Sequence, residues 1–360
     1  RIEPYEVIDF SANINPLGPS HRGLDAINDQ LRYISHYPDA TNDDVLNAIA
    51  DTYGMDKNQI IVGNGAAELL YAICRLPGYT GAFVPAPGFS EYKEALEASN
   101  IPVRDIFYRP REDDNGKPYF EVPYLALETF AAELKGQDGR IIVFLGNPNN
   151  PDGTLLDKTH IRTVASMLKD ANSLLVIDES FIDFVGNEPL RDNDQSMRSL
   201  VNEFDNVIVV HSFTKFYAVP GLRIGAAFGN EKLISQLHQY IPSWSVNTLA
   251  QAYTEAALND VDYIKRTKQE LNEERAFMYD ALDVIEGITV YPPSANFMLF
   301  EINHDGITAN TINENLKKYN MIVRNCDTYV GLNNQWVRIA IKDQDTNIKL
   351  VEKLTDILKV

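Results

Sequence analysis

From about residue 60 to residue 240, short apolar runs with strand character alternate with helical segments, and most runs end in a polar or glycine-containing turn. The strand-like runs are Ile60–Val62, Ala82–Val84, Val103–Tyr108, Arg140–Leu145, Leu174–Ile177, Asn206–Val210 and Ile224–Phe228. Helical spacing is read at Leu69–Leu76, Glu91–Ser99, Leu125–Leu134, Lys158–Ala171 and near Gln195–Val201. Strands that alternate with helices predict an α/β fold with a mostly parallel central sheet and helices on both faces.

The flanking segments read differently. Ile8–Pro19 opens with strand character and ends in Pro/Gly punctuation; Ser20 is placed to cap a helix with apolar positions Leu24, Ile27, Leu31 and Ile34. Val261–Val284 is expected to be a long charged helix connecting two domains. Strands near Ile288, at Asn296–Ile302 and at Val337–Ile341 then mix with helices Asn310–Tyr319 and Asp343–Lys359, which predicts a smaller α+β domain. The expected division is an N-terminal segment 1–40 that joins the small domain, a large domain 41–255 and a small C-terminal domain 256–360. The acidic turn Arg111–Gly116 reads as a surface loop.

Charge narrows the partners. A formal net charge of −19 argues against nucleic acid or an anionic membrane surface, which need clustered Lys and Arg. No apolar run approaches the roughly 18 residues of a membrane span. Cys74 and Cys326 form no CxxC pair, which fits a reducing cytoplasm. The chain starts at Arg1 rather than Met, so residues are expected upstream; nothing present resembles a signal peptide.

The ends of the strand runs carry the chemistry. Ile60–Val62 runs into Gly63-Asn-Gly-Ala-Ala-Glu68 and a helix, an arrangement whose backbone N–H groups at Gly65, Ala66 and Ala67 suit a phosphate. It has two glycines of a dinucleotide fingerprint, but Glu68 stands where the third should be, so a single phosphate is served equally well. Phe89 and Tyr92 put rings at the next strand-to-helix turn, a position for a flat ligand or for core. Arg140–Leu145 ends in Gly146-Asn-Pro-Asn-Asn150-Pro-Asp-Gly153, and Leu174–Ile177 ends in Asp178, where open α/β sheets place functional groups. His211–Gly225, reading HSFTKFYAVPGLRIG, then brings Ser212, Thr214, Lys215 and Arg223 into one loop. A lysine beside another cation and apolar neighbours loses part of its preference for charge, which makes it a candidate Schiff-base former. A cradle, two hydroxyls and Arg223 for a phosphate, Asn150 for a ring oxygen, Asp178 for a ring nitrogen and Lys215 for an aldehyde suit one ligand, pyridoxal 5′-phosphate.

Readings from other classes are weaker. Ser212-Phe-Thr-Lys215 matches SxxK, but the chain contains neither SDN nor KTG. GxSxG and HExxH are absent, and the six histidines show no metal spacing. A sensor that merely binds the cofactor has no helix-turn-helix appendage or basic face to support it.

The order GNG, PGF, NPNNPxG, DESF, SFTK and GLRIG, spread over nearly the whole chain, resembles the fold-type I pyridoxal-phosphate enzymes of the aminotransferase superfamily. Within it the chain resembles the histidinol-phosphate aminotransferase branch and, more closely, the L-threonine-O-3-phosphate decarboxylases of cobalamin biosynthesis. That finer likeness rests on FSANINPLG (Phe10–Gly18), YPDA (Tyr37–Ala40), SFIDF (Ser180–Phe184), TKFYAVPGLRIG (Thr214–Gly225), WSVN (Trp244–Asn247) and the Arg324-to-Leu332 segment. The resemblance implies that Lys215 carries the cofactor and moves the proton at the substrate Cα. It implies that Asp178 pairs with the pyridine nitrogen, Asn150 bonds the ring oxygen and Phe89 stacks on the ring. The phosphate would be held by Ala66, Ala67, Ser212, Thr214 and Arg223, with Tyr37 contributed by the other subunit of a homodimer with shared active sites. Asn15, Asn150, Arg324 and Arg338 are the implied substrate contacts.

Two residues depart from the family pattern. Asp152 stands where Thr is usual, and Phe181 stands where aminotransferases usually have Tyr, a Phe that the threonine-phosphate decarboxylases share. The implied reaction is decarboxylation of L-threonine O-3-phosphate or of its close analogue L-serine O-phosphate; transamination of histidinol phosphate is the alternative. One methyl separates the two phosphoamino acids, a difference that discriminates only roughly 10- to 200-fold.

Overall fold

The computed structural model describes residues 7–134, 136 and 139–359. The apolar runs form one seven-stranded sheet from β1 (Ile60–Gly63), β2 (Tyr79–Ala86), β3 (Val103–Phe107), β4 (Arg140–Gly146), β5 (Leu174–Asp178), β6 (Val207–Ser212) and β7 (Gly225–Gly229). Its order is β1-β7-β6-β5-β4-β2-β3; β2 to β6 pair in parallel, and β7 runs antiparallel to both its neighbours. Alternate residues serve opposite faces: Ile142, Phe144, Val176, Ile208 and Val210 enter one apolar cluster, whereas Val143, Leu145, Ile177, Val207 and Val209 enter the other. Both faces are therefore covered, which is why these strands are apolar at every position rather than every second one. The parallel strands end at one edge, and that edge carries the polar turns.

A second, four-stranded sheet follows the long helix Val261–Asp283. It comprises β8 (Ile288–Val290), β9 (Phe297–Ile302), β10 (Arg324–Asn325) and β11 (Trp336–Ala340), in the order β8-β9-β11-β10. Antiparallel pairing sets Arg324 directly opposite Arg338. At the other end of the chain, Ile8–Asp9 pairs in parallel with Met321–Ile322, and the Ala340 N–H donates to the Phe10 carbonyl at 2.7 Å. The N-terminal stretch is thus stitched onto the C-terminal sheet.

Three segments differ from expectation. The helix expected near Gln195–Val201 is a short 3₁₀ turn, Arg198–Asn202. Its approach is fixed instead by buried Glu179, which accepts from Ser196 Oγ (2.6 Å), the Met197 N–H (2.6 Å) and Asn147 Nδ2 (3.0 Å). A backbone N–H bonded to a distant carboxylate is withdrawn from a helical ladder. Arg111–Gly116 is part of a hairpin, Arg109–Glu112 against Pro118–Glu121, rather than a loop alone. Helix α1 (His21–Gln30) is capped as expected, Ser20 Oγ accepting from the Gly23 N–H at 3.2 Å. Of its apolar stripe only Ile27 packs against the core, however: Leu24, Leu31 and Ile34 are exposed, and α1 also packs through Gly23, where an added Cβ would lie 2.4 Å from the Tyr253 ring.

Where β1, β6 and β7 meet, Gly225 lies opposite both Gly63 and Ser212. A Cβ on Gly225 would sit 2.5 Å from the Ala66 nitrogen and 2.8 Å from the His211 carbonyl oxygen. Both obstacles are backbone, so no side chain can move aside. Gly225→Ala is expected to lower unfolding free energy by about 1–3 kcal/mol, the usual range for overpacking, as read by urea titration.

Candidate cofactor and substrate site

The polar edge assembles around the turn that follows β6. Ser212 is its last strand residue, and Thr214 and Lys215 lie in the single helical turn Phe213–Phe216. Ser212 Oγ and Thr214 Oγ1 are 2.8 Å apart and hydrogen-bonded. Arg223 adopts φ 59°, left-handed backbone that non-glycine residues seldom take, and this brings its guanidinium back over the neighbouring helix start. A Cβ on Gly65 would lie 2.6 Å from Arg223 Nη2, which could swing aside, but Gly65 takes φ 83°, a left-handed backbone that favours glycine. Gly65 begins the ten-residue helix α2 (Gly65–Cys74), whose first-turn N–H groups, including those of Ala66 and Ala67, have no intrahelical acceptor. Two hydroxyls, a guanidinium and free N–H groups converge as an anion cradle.

Lys215 lies next to it and is largely enclosed. Burial lowers its proton affinity below the ordinary 10.5; the Arg223 and Arg338 cations add to that, and Asp178 opposes it. Asp178, at the end of β5, is buried and already well partnered. Its Oδ1 accepts from the Ser180 N–H (2.9 Å) and Ser180 Oγ (2.5 Å), and its Oδ2 accepts from Tyr92 Oη (2.9 Å). Tyr92 stacks on Phe144 with ring centroids 5.3 Å apart. Burial, the Asp178 charge and the hydrogen bond to it hold the Tyr92 phenol well above its usual range, so it remains a donor.

A cavity of about 650 Å³ opens over Lys215 and Asp178, and Phe89, Asn150, Arg324 and Arg338 are on its wall. Phe89 is exposed and meets Tyr92 edge-on at 5.7 Å. Arg338 is buried: Nη1 donates to Asn150 Oδ1 (2.5 Å) and Tyr329 Oη (3.2 Å), Nη2 donates to the Ser11 carbonyl (2.5 Å), and Nε has no partner among the described residues. Arg324 is exposed, its Nη2 donating to Thr328 Oγ1 at 3.0 Å. Phe181 also lines the cavity and packs edge-on against Phe297 at 5.0 Å.

The chain matches the family described as aminotransferase class I and II over residues 5–354. It belongs to that family. Among curated relatives it is 32% identical to the threonine-phosphate decarboxylase of Salmonella typhimurium, over 99% of this chain and 93% of the relative. It is 30% identical to the histidinol-phosphate aminotransferase of Methanothermobacter thermautotrophicus, over 98% of this chain and 90% of the relative. It is also 32% identical to the adenosylcobalamin biosynthesis bifunctional protein CobDQ of Leptospira interrogans, over 98% of this chain, although it spans only 39% of that longer protein. Among solved structures, the histidinol-phosphate aminotransferase of Clostridium acetobutylicum superposes with a TM-score of 0.87 at 26% identity, covering 98% of this chain and 99% of that one. Structural neighbours of the same fold include enzymes solved with pyridoxal 5′-phosphate bound.

The residues of this aminotransferase class I and II chain fit that cofactor. The cradle offers N–H, hydroxyl and guanidinium donors to a phosphate, and Gly65 and Gly225 keep it free of side chains. Lys215 and Asp178 share one cavity wall with Asn150, Phe89, Arg324 and Arg338; Ala66, Ala67, Ser212, Thr214 and Arg223 belong to the cradle around Gly65 and Gly225 rather than to that wall, and two further expected residues stand elsewhere. Asn15 is turned away: its Nδ2 donates to the Phe216 carbonyl (2.8 Å), Tyr263 Oη (2.9 Å) and Thr267 Oγ1 (3.0 Å), and its Oδ1 accepts from the Leu17 N–H. With its amide fully engaged, Asn15 locks the N-terminal stretch to the Lys215 turn. Tyr37 is 80% exposed, outside the cavity of its own chain, with its ring 4.8 Å from Trp244.

Three wall residues were not singled out from sequence for the contacts they make. Asn13, two positions before Asn15, is buried on the wall, and its Oδ1 has no partner among the described residues. Ser180 and Tyr92 both hold Asp178. The Asp-x-Ser spacing is a turn signal that points to Ser180, whereas nothing local tells a stacking ring from a phenol aimed at a carboxylate. The Asp152 turn keeps its shape: Oδ1 accepts from the Thr154 N–H and Oδ2 from Asn149 Nδ2, while burial pushes its carboxyl above the usual range.

The Lys215 environment has a signed consequence. The folded chain releases this proton below 10.5 and the unfolded chain holds it to 10.5, so the Lys215 contribution to stability rises with pH across that window. Acylation of Lys215 in the cofactor-free protein, followed by mass spectrometry, should show a midpoint below 10.5. Arg223→Gln removes a repelling cation and should move that midpoint upward.

Proposed function

We propose that this protein decarboxylates L-threonine O-3-phosphate, or the smaller L-serine O-phosphate, to the amino-alcohol phosphate, as a step in cobalamin biosynthesis. The observation that carries this reading is the Arg324–Arg338 pair, set opposite each other in β10 and β11, at a wall shared by Lys215 and by Phe181. Two guanidinium groups suit a phosphate dianion by geometry and charge. A side-chain phosphate held there leaves the α-carboxylate free to depart, and remote binding energy orients the bond that breaks. The bound cofactor supplies the electron sink for the pair left at Cα. Lys215 would return a proton to Cα, Asp178 would hold the cofactor's ring nitrogen by a hydrogen bond, and Asn150 would hold its ring oxygen. Phe181, on the same cavity wall, has no hydroxyl to offer that oxygen, in keeping with the decarboxylase pattern. Asn13, with an unpartnered oxygen on the wall, is assigned to substrate or to an ordered water.

A second reading, histidinol-phosphate aminotransferase, is favoured by the 30% identical relative and by the superposition at TM-score 0.87. Its substrate also offers a phosphate to the arginine pair. We place the working unit in a homodimer: Leu24, Leu31, Tyr33, Ile34, Tyr37 and Trp244 form an exposed apolar set on and near α1, and Tyr37 would reach the partner's phosphate cradle. A reducing cytoplasm belongs to the same proposal, since Cys74 and Cys326 are both buried and free. No helix among the described residues is long and apolar enough to cross a membrane.

Carbon dioxide release from L-threonine O-3-phosphate, without added keto acid, is the deciding measurement. Steady release is expected, and Lys215→Ala should reduce it by at least about 10³-fold, the scale of losing a nucleophile and its proton transfer. No release, with glutamate formed from histidinol phosphate and 2-oxoglutarate, would replace this reading with the aminotransferase. Tyr37→Ala is expected to weaken cofactor binding in a protein that sediments as a dimer; sedimentation as an active monomer would remove Tyr37 from the site.

A further inference from the structure

The Asp178 carboxylate is held by more donors than its burial alone requires. Two come from one residue, Ser180, whose N–H and Oγ both reach Oδ1, at 2.9 and 2.5 Å. The third is the Tyr92 phenol, on Oδ2 at 2.9 Å, itself fixed by stacking on Phe144. A carboxylate offers roughly four lone-pair sites, so three donors leave one, and it lies on Oδ2. The terminal torsion of Asp is broad and nearly two-fold. Without these donors, the carboxylate plane would be free to turn about it. Ser180 lines the same cavity as Asp178.

We propose that Ser180 is a positioning residue: its hydroxyl, opposed by the Tyr92 phenol, fixes the plane of the Asp178 carboxylate so that the one remaining lone-pair site on Oδ2 meets the ring N–H of the cofactor. The role is exerted through Asp178 and rests on the cofactor assignment above, not on which reaction follows. It is distinct from completing a turn, because the Ser180 N–H alone already closes the Asp-x-Ser turn on Oδ1. The hydroxyl adds orientation, and that orientation matters only to a ligand with a donor at that point.

The test compares two ligands on the cofactor-free protein. One is pyridoxal 5′-phosphate; the other is its analogue with the ring nitrogen replaced by C–H, which keeps the phosphate and aldehyde but offers no donor to Asp178. Dissociation constants are measured by equilibrium titration, with thermal melting as the control for folding. Ser180→Ala should weaken pyridoxal 5′-phosphate roughly tenfold, within what one charge-assisted hydrogen bond is worth, and leave the carbon analogue within about twofold. Ser180→Thr, which retains the hydroxyl, should restore the affinity. Tyr92→Phe should give the same ligand-selective loss and serves in place of Ser180→Ala if that protein does not fold. Equal losses for both ligands, or affinity unchanged in Ser180→Ala, would overturn the proposal. Failure of the unsubstituted protein to bind pyridoxal 5′-phosphate would instead overturn the cofactor assignment.

Discussion

The close approach of Gly225 to the Ala66 nitrogen and the His211 carbonyl is the contact on which the site depends. It draws three elements to one point: the start of α2, the end of β6 and the start of the antiparallel strand β7. Because β7 enters from the same edge at which β1 and β6 finish, Arg223 can fold back over Gly65 at the sheet edge where Ser212 ends β6 and bonds Thr214. The anion cradle is a product of strand direction. Had β7 been parallel, Arg223 would have begun at the far side of the sheet, a strand length away.

Behind that edge lies a buried polar layer that holds the turns. Glu179 ties the segment before Arg198 to the NPNNP turn through Asn147, and Asp183 joins Tyr53 Oη (2.7 Å) to His211 Nε2 (3.0 Å). Burial pushes the Asp183 carboxyl up, but the charge and hydrogen bond of His211, the Arg198 charge and the Tyr53 hydroxyl outweigh it and leave it below the usual range. Such a layer costs desolvation and adds little net stability. Its effect is positional, fixing the backbone just behind Ser212 and just beyond Asp178.

The sheet and most of the site were legible from sequence because both follow local rules. Strands buried on two faces must be apolar throughout, and a parallel sheet collects its turns at one edge, so Lys215, Asp178, Asn150 and the Gly65 cradle had to meet. What was not legible depends on long-range partners. The segment after Gln195 lost its helix to Glu179, 17 and 18 residues from the groups it binds there and set in place by the sheet. Asn15 and Asn13 have the same chemistry and differ only in which way the chain turns between them; helix Val261–Asp283 supplies the Tyr263 and Thr267 that claim Asn15. The exposed stripe on α1 shows the same limit, since periodicity marks an apolar face without saying what covers it.

Arg338 bridges pieces of chain that are otherwise far apart: the Ser11 carbonyl near the N-terminus, Asn150 in the turn after β4 and Tyr329 beyond β10. An anion that recruits this guanidinium competes directly with those acceptors. Loading one side of the cavity therefore alters the freedom of Asn150 on the other, and by thermodynamic reciprocity the group held by Asn150 alters the affinity for the anion to the same degree. A single side chain makes the two halves of the cavity energetically one.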